Sequence, residues 1–253
     1  MNGDFLTLLP KPAIPQPGPH APAHEPLQAT TVFAFHCAEG AIIAGDHRAT
    51  AGNIVFSDQT EKILELDSHS LMAIAGVPAT AFEMARTLQT AFEFYRRSQL
   101  QSMSLAAKIR ALSQVLRNNL AGTLQGFGVV APIFAGIEVG DPTAKPQIHF
   151  YDPLGAQVEA TNFCGSGSGS GSIKAVLSFL EHWGQPKPAE MTLAQASNLA
   201  NRLLMTAAEF DTATGGVHPD RHQFATIKLV SRAGIRSLSL DDQEQFWKSN
   251  GKK

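Results

Sequence analysis

From Thr30 onward the chain alternates between short β-branched and aromatic runs and longer stretches whose apolar residues recur every three to four positions. Thr30 to Phe35 and the run Gly-Ala-Ile-Ile-Ala-Gly from Gly40 to Gly45, joined through Ala38-Glu39-Gly40, predict a strand, a turn and a strand. Lys62 to Leu66 and Leu71 to Ala75 predict two more. Two amphipathic helices follow, one with Phe82, Ala85, Leu88, Phe92 and Tyr95 on one face, the next with Leu105, Ile109, Leu112, Leu116 and Leu120. Strands return at Val129 to Ile137 and Gln147 to Tyr151, with Gly140-Asp141-Pro142 as the turn between them, and Val158 to Cys164 predicts another. A second helical pair spans Ser172 to Trp183 and Thr192 to Glu209, the latter opened by a capping box of Thr192 and Gln195. Phe224 to Val230 and Ile235 to Leu240 are read as closing strands before a polar, lysine-ended tail.

Grouped strands alternating with grouped helices do not fit a doubly wound parallel sheet, in which single strands and single helices take turns. They fit an α+β, four-layer αββα sandwich, two stacked antiparallel sheets flanked by helix pairs. One such domain covers residues 30–253. Ahead of it, seven of the 15 prolines fall before residue 30, where no helical or strand period survives, so residues 1–29 read as an extended leader. Its apolar cluster, Phe5 to Leu9, lacks the basic start and the small-residue cleavage site of a secretory signal.

Composition narrows the function. Twenty basic against 22 acidic side chains leave a formal charge of −2, without the basic surface that a nucleic-acid partner requires. Phe127 to Ile137, the longest nearly unbroken apolar run, falls well short of the roughly 20 residues of a membrane-crossing helix. Two cysteines, Cys37 and Cys164, are too far apart for a CxxC motif and too few for a disulfide scaffold, which fits core-filling thiols in a reducing, cytoplasmic setting. His218 and His222 bracket Asp220 at ligand-like spacing, but Pro219 prevents the helix that would aim both rings at one metal, so solvated loop histidines are expected and no metal or cofactor is called for.

A threonine hydroxyl becomes a usable nucleophile when its residue is the first of the chain, because the free α-amine can take the proton. That amine titrates near 7.7 to 8.0 in model compounds, so a fraction of it is neutral at physiological pH. A leader ending just before a Thr30-Thr31 strand is the arrangement this chemistry needs. Taken alone, however, other segments read as ordinary structure. Asp46 and Lys62 read as a surface ion pair, and Gly165 through Ser172 as a flexible linker.

Taken together, Gly45-Asp46-His47-Arg48-Ala49-Thr50-Ala51-Gly52-Asn53, Glu61-Lys62 and Ile74-Ala75-Gly76 occur in the order and spacing of proteasome β subunits. Gly169-Ser170-Gly171-Ser172 and Asp211-Thr212-Ala213-Thr214-Gly215-Gly216 resemble two later motifs of that family, most closely its bacterial, actinomycete-type members. The resemblance covers essentially the whole chain after the leader. It implies an N-terminal-nucleophile threonine endopeptidase, made as a precursor and cut between Ala29 and Thr30. Thr30 matches the nucleophile, Asp46 and Lys62 the buried pair that favours its alkoxide, and Gly76 the donor to the oxyanion. Ser170, with Ser168 as the alternative register, matches the groups that position the amine and its water, together with Asp211 and Thr214. Ala49, Ile74 and Pro78 match an apolar specificity pocket, implying cleavage after large hydrophobic residues. Ala29 stands where processed relatives usually carry glycine, and Thr214 where many carry serine.

The implied partners are proteasome α subunits, other β subunits in heptameric rings, an ATP-dependent ring unfoldase and unfolded protein substrates, with no nucleic acid and no membrane. Two other readings stay open at this point. One is the simpler threonine peptidase that serves a hexameric heat-shock unfoldase, whose threonine usually follows the initiator methionine directly. The other is an unprocessed structural subunit of the same fold.

Overall fold

The computed structural model describes residues 30–51 and 54–250; the leader and Ala29 lie outside the described residues. One five-stranded antiparallel sheet is built from β1 (Thr31–Cys37), β2 (Gly40–Gly45), β10 (Phe163–Gly167), β11 (Thr226–Ser231) and β12 (Gly234–Ser237), in the order β10-β1-β2-β11-β12. A second comprises β5 (Ile63–Asp67), β6 (Ser70–Ala73), β7 (Ile133–Gly136), β8 (Gln147–Tyr151) and β9 (Gln157–Glu159) in sequential order. A two-stranded ribbon, β3 (Ala49–Ala51) and β4 (Ile54–Ser57), leads from the first sheet to the second.

The helices lie outside the sheets. α1 (Pro78–Gln99) and α2 (Leu105–Asn118), continued by a short α3 (Leu120–Leu124), cover the second sheet, while α4 (Ser170–Trp183) and α5 (Leu193–Phe210) cover the first. This is the four-layer α+β sandwich expected from the sequence. The strand β1 shows how it is encoded. Val32 and Ala34 point into the core between the sheets with Ile43, Leu71, Ala73 and Ile133, whereas Phe33, Phe35 and Cys37 point the other way, against α4 and α5. A strand buried on both faces reads as a continuous apolar run, as Val32–Phe35 within β1 does. Tyr151 ties the outer layer down by donating to the Ile109 carbonyl at 2.8 Å.

Several expected elements are corrected. The Val129–Ile137 run is a strand only from Ile133, after Pro132. Before it, Val129 and Ala131 pair with the segment after β6, through Val77 N–H to the Val129 carbonyl and Ala131 N–H to the Ala75 carbonyl. The expected strand Val158–Cys164 is divided between β9 and β10, which belong to different sheets, so the chain crosses the sandwich there. Leu120 starts α3 and is exposed instead of extending the buried face of α2. The polar tail is a helix, α6 (Leu240–Asn250), whose Phe246 and Trp247 pack on the α4–α5 core. Ser239 and Asp242 cap it reciprocally, each accepting from the other's backbone N–H. Gln243 is buried, bonding Asn201 and the Ala225 carbonyl.

Cys37 and Cys164 are buried free thiols. Burial pushes the Cys164 thiol up to about 12, which leaves it protonated and inert. Among the described residues no helix is long and apolar enough to cross a membrane.

Candidate active site

Three strand ends converge at one end of the sandwich. Thr30 immediately precedes β1, Asp46 follows β2 and Lys62 precedes β5. Side chains at such ends leave the sheet ladder but stay on rigid supports, which is where a fold can hold polar groups in place.

Asp46 is buried and its carboxylate is fully engaged. Oδ1 accepts from the Lys62 ammonium at 2.6 Å and from Thr31 N–H at 3.0 Å, and Oδ2 from Gly215 N–H at 2.7 Å and Arg48 N–H at 3.1 Å. Lys62 also donates to the Arg48 carbonyl. The pair is therefore not the surface contact that its residues suggest in isolation, since Lys62 is only 1% exposed. Burial pulls the Lys62 ammonium below the ordinary lysine range, and the facing Asp46 carboxylate pulls it part of the way back. A buried lysine of this kind is a cation that water does not screen, available to an oxyanion forming beside it.

Thr30, Lys62, Ala49, Ile74, Pro78 and Thr60 line one small cleft. Five of these are residues the sequence had assigned separately, to nucleophile, cation and specificity pocket. Gly76, between Ile74 and Pro78, has φ +120°, and a Cβ there would run into the Val129 carbonyl. The reason for glycine is thus the backbone of the neighbouring segment, whatever a substrate requires in addition.

A second polar cluster faces the first. Asp211 caps the end of α5, and its Oδ2 accepts from the hydroxyls of Ser168 and Thr214, each at 2.6 Å, while Oδ1 accepts from Ala213 N–H at 3.1 Å. Burial alone would raise this carboxyl, but the Ser168 and Thr214 hydroxyls outweigh it and hold it below the usual carboxylate range. Of the two serines left open by the Gly-Ser tract, it is Ser168, not Ser170, that meets Asp211. Ser170 is the first residue of α4, packed against Gly165. Gly169, rather than Ser170 or Ser172, is the residue that caps this helix.

Nor is the tract a linker. Its first part is β10, paired with β1 so that Thr31 lies opposite Gly167. Gly167 has φ +94°, and a Cβ there would overlap the Thr30 carbonyl, so only glycine lets β10 pass this close to Thr30.

A family model described as "Proteasome subunit" matches residues 27–218. The chain belongs to the proteasome subunit family. Its relatives include "Proteasome subunit beta 2" of Thermomonospora curvata, 37% identical over 220 residues that cover 87% of this chain and 75% of that protein. "Proteasome subunit beta" of Streptomyces griseus is 33% identical with the same coverage, and its namesake in Acidothermus cellulolyticus 34% over 84% and 71% of the two chains.

In this proteasome-family chain Thr50 and Thr60 of the cleft had no role in the sequence reading, and neither did two residues that bond the site together. Arg48 sends its guanidinium to Asp58 and to the carbonyls of Thr212 and Thr214, pinning the Asp211 loop beside Lys62. Its place inside the Asp46-to-Asn53 motif was the available signal. Thr31, a strand residue by pattern, bonds to both clusters. His218 and His222 do not converge: His222 pairs with Glu244, its Nδ1 3.2 Å from the carboxylate, beyond a short 3-10 turn at Pro219–Arg221.

Proposed function

We propose that this chain is the catalytic β subunit of a proteasome core particle, a threonine endopeptidase activated by removal of residues 1–29. The observation that carries the proposal is the shared cleft, in which Thr30 at the head of β1 faces the buried, Asp46-bound Lys62. An ion pair taken out of water at a strand end costs desolvation that apolar packing would avoid, so its presence beside a hydroxyl has a chemical rationale.

In the mechanism, hydrolysis of the Ala29–Thr30 bond frees the Thr30 amine. That amine accepts the proton of Thr30 Oγ as Oγ attacks the substrate carbonyl, directly or through water. Negative charge builds on the carbonyl oxygen, which Gly76 N–H receives, while Lys62 favours the threonine alkoxide. Collapse of the tetrahedral intermediate breaks the C–N bond, and the leaving amine takes the proton from the Thr30 ammonium. The ester on Thr30 is then hydrolysed by water, with the same amine as base. Asp211, with Ser168 and Thr214, positions the amine and its water.

Assembly with α subunits and further β subunits into heptameric rings would enclose the cleft, so that unfolded chains delivered by an ATP-dependent unfoldase in the cytoplasm are its substrates. The relatives, each named a proteasome β subunit, favour this over the hexameric heat-shock system. Because Ala49, Ile74 and Pro78 offer no charge, assembled particles are expected to prefer fluorogenic peptides with Leu, Phe or Tyr before the scissile bond. A preference of roughly tenfold in kcat/KM over Asp or Lys corresponds to burying one apolar side chain. A panel in which acidic or basic residues were preferred would contradict the pocket assignment.

A further inference from the structure

We infer that Thr31 is a positioning residue, which holds the proposed nucleophile in register by bonding at once to the Asp46–Lys62 pair and to the Asp211 cluster. This rests on the peptidase reading above and adds to it a threonine with no part in the chemistry itself. Thr31 N–H donates to Asp46 Oδ1 at 3.0 Å, the same oxygen that takes the Lys62 ammonium. Its Oγ1 accepts from Gly169 N–H at 3.0 Å and lies 2.6 Å from Thr214 Oγ1.

Proton counting fixes the direction of that last bond. Thr214 has one hydroxyl proton, and the Asp211 carboxylate, an acceptor only, takes it at 2.6 Å. Thr31 must therefore donate to Thr214. The result is a one-way chain from Gly169 N–H through the Thr31 and Thr214 hydroxyls to Asp211. Each bond in such a chain polarises the next, and burial of Thr31 and Thr214 keeps water from standing in for either hydroxyl. Valine would serve packing on a buried strand equally well, but it can neither accept from Gly169 nor donate to Thr214.

The consequence falls on Thr30. Its carbonyl is pressed against Gly167, and the next N–H is fixed on Asp46, so the peptide joining Thr30 to Thr31 is held from both sides. The setting of that peptide fixes where Thr30 sits in the cleft it lines, and small misplacements of reacting groups cost large factors in rate. Thr31 is not among the residues lining the cleft, so its loss should be felt in turnover and not in binding.

The test compares Thr31→Val and Thr31→Ser in full-length chains assembled into purified particles, with rates expressed per chain that mass spectrometry shows to begin at Thr30. Thr31→Val should lower kcat by roughly 10- to 100-fold, the cost of charge-linked hydrogen bonds, with KM within about threefold of wild type. Thr31→Ser should restore kcat to within about threefold. Wild-type kcat in the valine variant, a loss confined to KM, or a serine variant as slow as valine would each overturn the inference. Should valine chains remain uncut or unassembled, Thr31→Cys against Thr31→Ser decides. The thiol is a weak partner, and cysteine should turn over at least about fivefold more slowly; equal rates overturn the inference. A wild-type particle without peptidase activity, or one indifferent to Thr30→Ala, would instead sink the peptidase reading itself.

Discussion

Thr30→Ala is expected to abolish peptide hydrolysis, lowering turnover by at least ~10³-fold, because the hydroxyls of Thr50 and Thr60, which also line the cleft, have no α-amine of their own to serve as base. The variant keeps Cβ and the backbone and loses only Oγ and the γ-methyl at the head of the strand, so particles should assemble as in wild type. If Thr30 Oγ also cuts its own leader, the same variant should retain residues 1–29. Thr30→Ser, which restores a hydroxyl, should recover measurable turnover. Peptidase assays on purified particles, normalised to particle concentration, check the result. Turnover surviving in Thr30→Ala would remove Thr30 from the mechanism and leave only the architecture.

The second large effect concerns Lys62. Lys62→Met fills similar volume but strips the only cation bonded to the buried Asp46 carboxylate among the described residues. Leaving one partner of a buried pair uncompensated costs about 3–5 kcal/mol, which for a domain of this size lowers the melting temperature by roughly 10 °C. Asp46→Ala should be at least as damaging, because it orphans the N–H groups of Thr31, Arg48 and Gly215 as well as the ammonium. In particles that still assemble, both variants should lose at least ~10²-fold in turnover, the scale of removing an electrostatic stabiliser from a dry site. Calorimetry and peptidase assays on the same preparations separate the two effects. An unchanged melting temperature would contradict the buried pair, and turnover above roughly a tenth of wild type would remove the Lys62 ammonium from the chemistry.

Much of this site could be read from the chain. β1 and β2 announce themselves because strands buried on both faces carry unbroken apolar stretches, Val32–Phe35 and Ala41–Ala44. The residues Asp46, Lys62, Gly76 and Asp211 could be placed because each sits in a motif with fixed spacing to its neighbours. The three apolar pocket positions, Ala49, Ile74 and Pro78, do meet in one cleft with Thr30 and Lys62.

What stayed hidden has physical reasons. A doubled Gly-Ser tract is periodic, so sequence alone could not distinguish Ser168 from Ser170. The distinction comes from pairing with β1, which sets Gly167 opposite Thr31 and turns Ser168 toward Asp211. Thr31 looked like any β-branched strand residue, because a hydroxyl bonded across 183 positions of sequence leaves no local trace. The α6 helix was missed although its signal was present: Ser239 and Asp242 form a cap at the standard spacing, but the polar residues after Leu240 masked the Phe246 and Trp247 face. The β3–β4 ribbon left a weaker signal, Thr50 in β3 and Ile54-Val55 in β4, and was absorbed into the Gly45-to-Asn53 motif that overlaps it.

Everything in the mechanism depends on Thr30 becoming a chain terminus, because only a free α-amine gives its hydroxyl a base. Measuring the N-terminal residue of this chain, by intact mass and terminal sequencing of peptidase-active particles, therefore tests the account most directly. The account predicts a chain that starts at Thr30; active particles whose chains still carry Ala29 and the leader before it would contradict it.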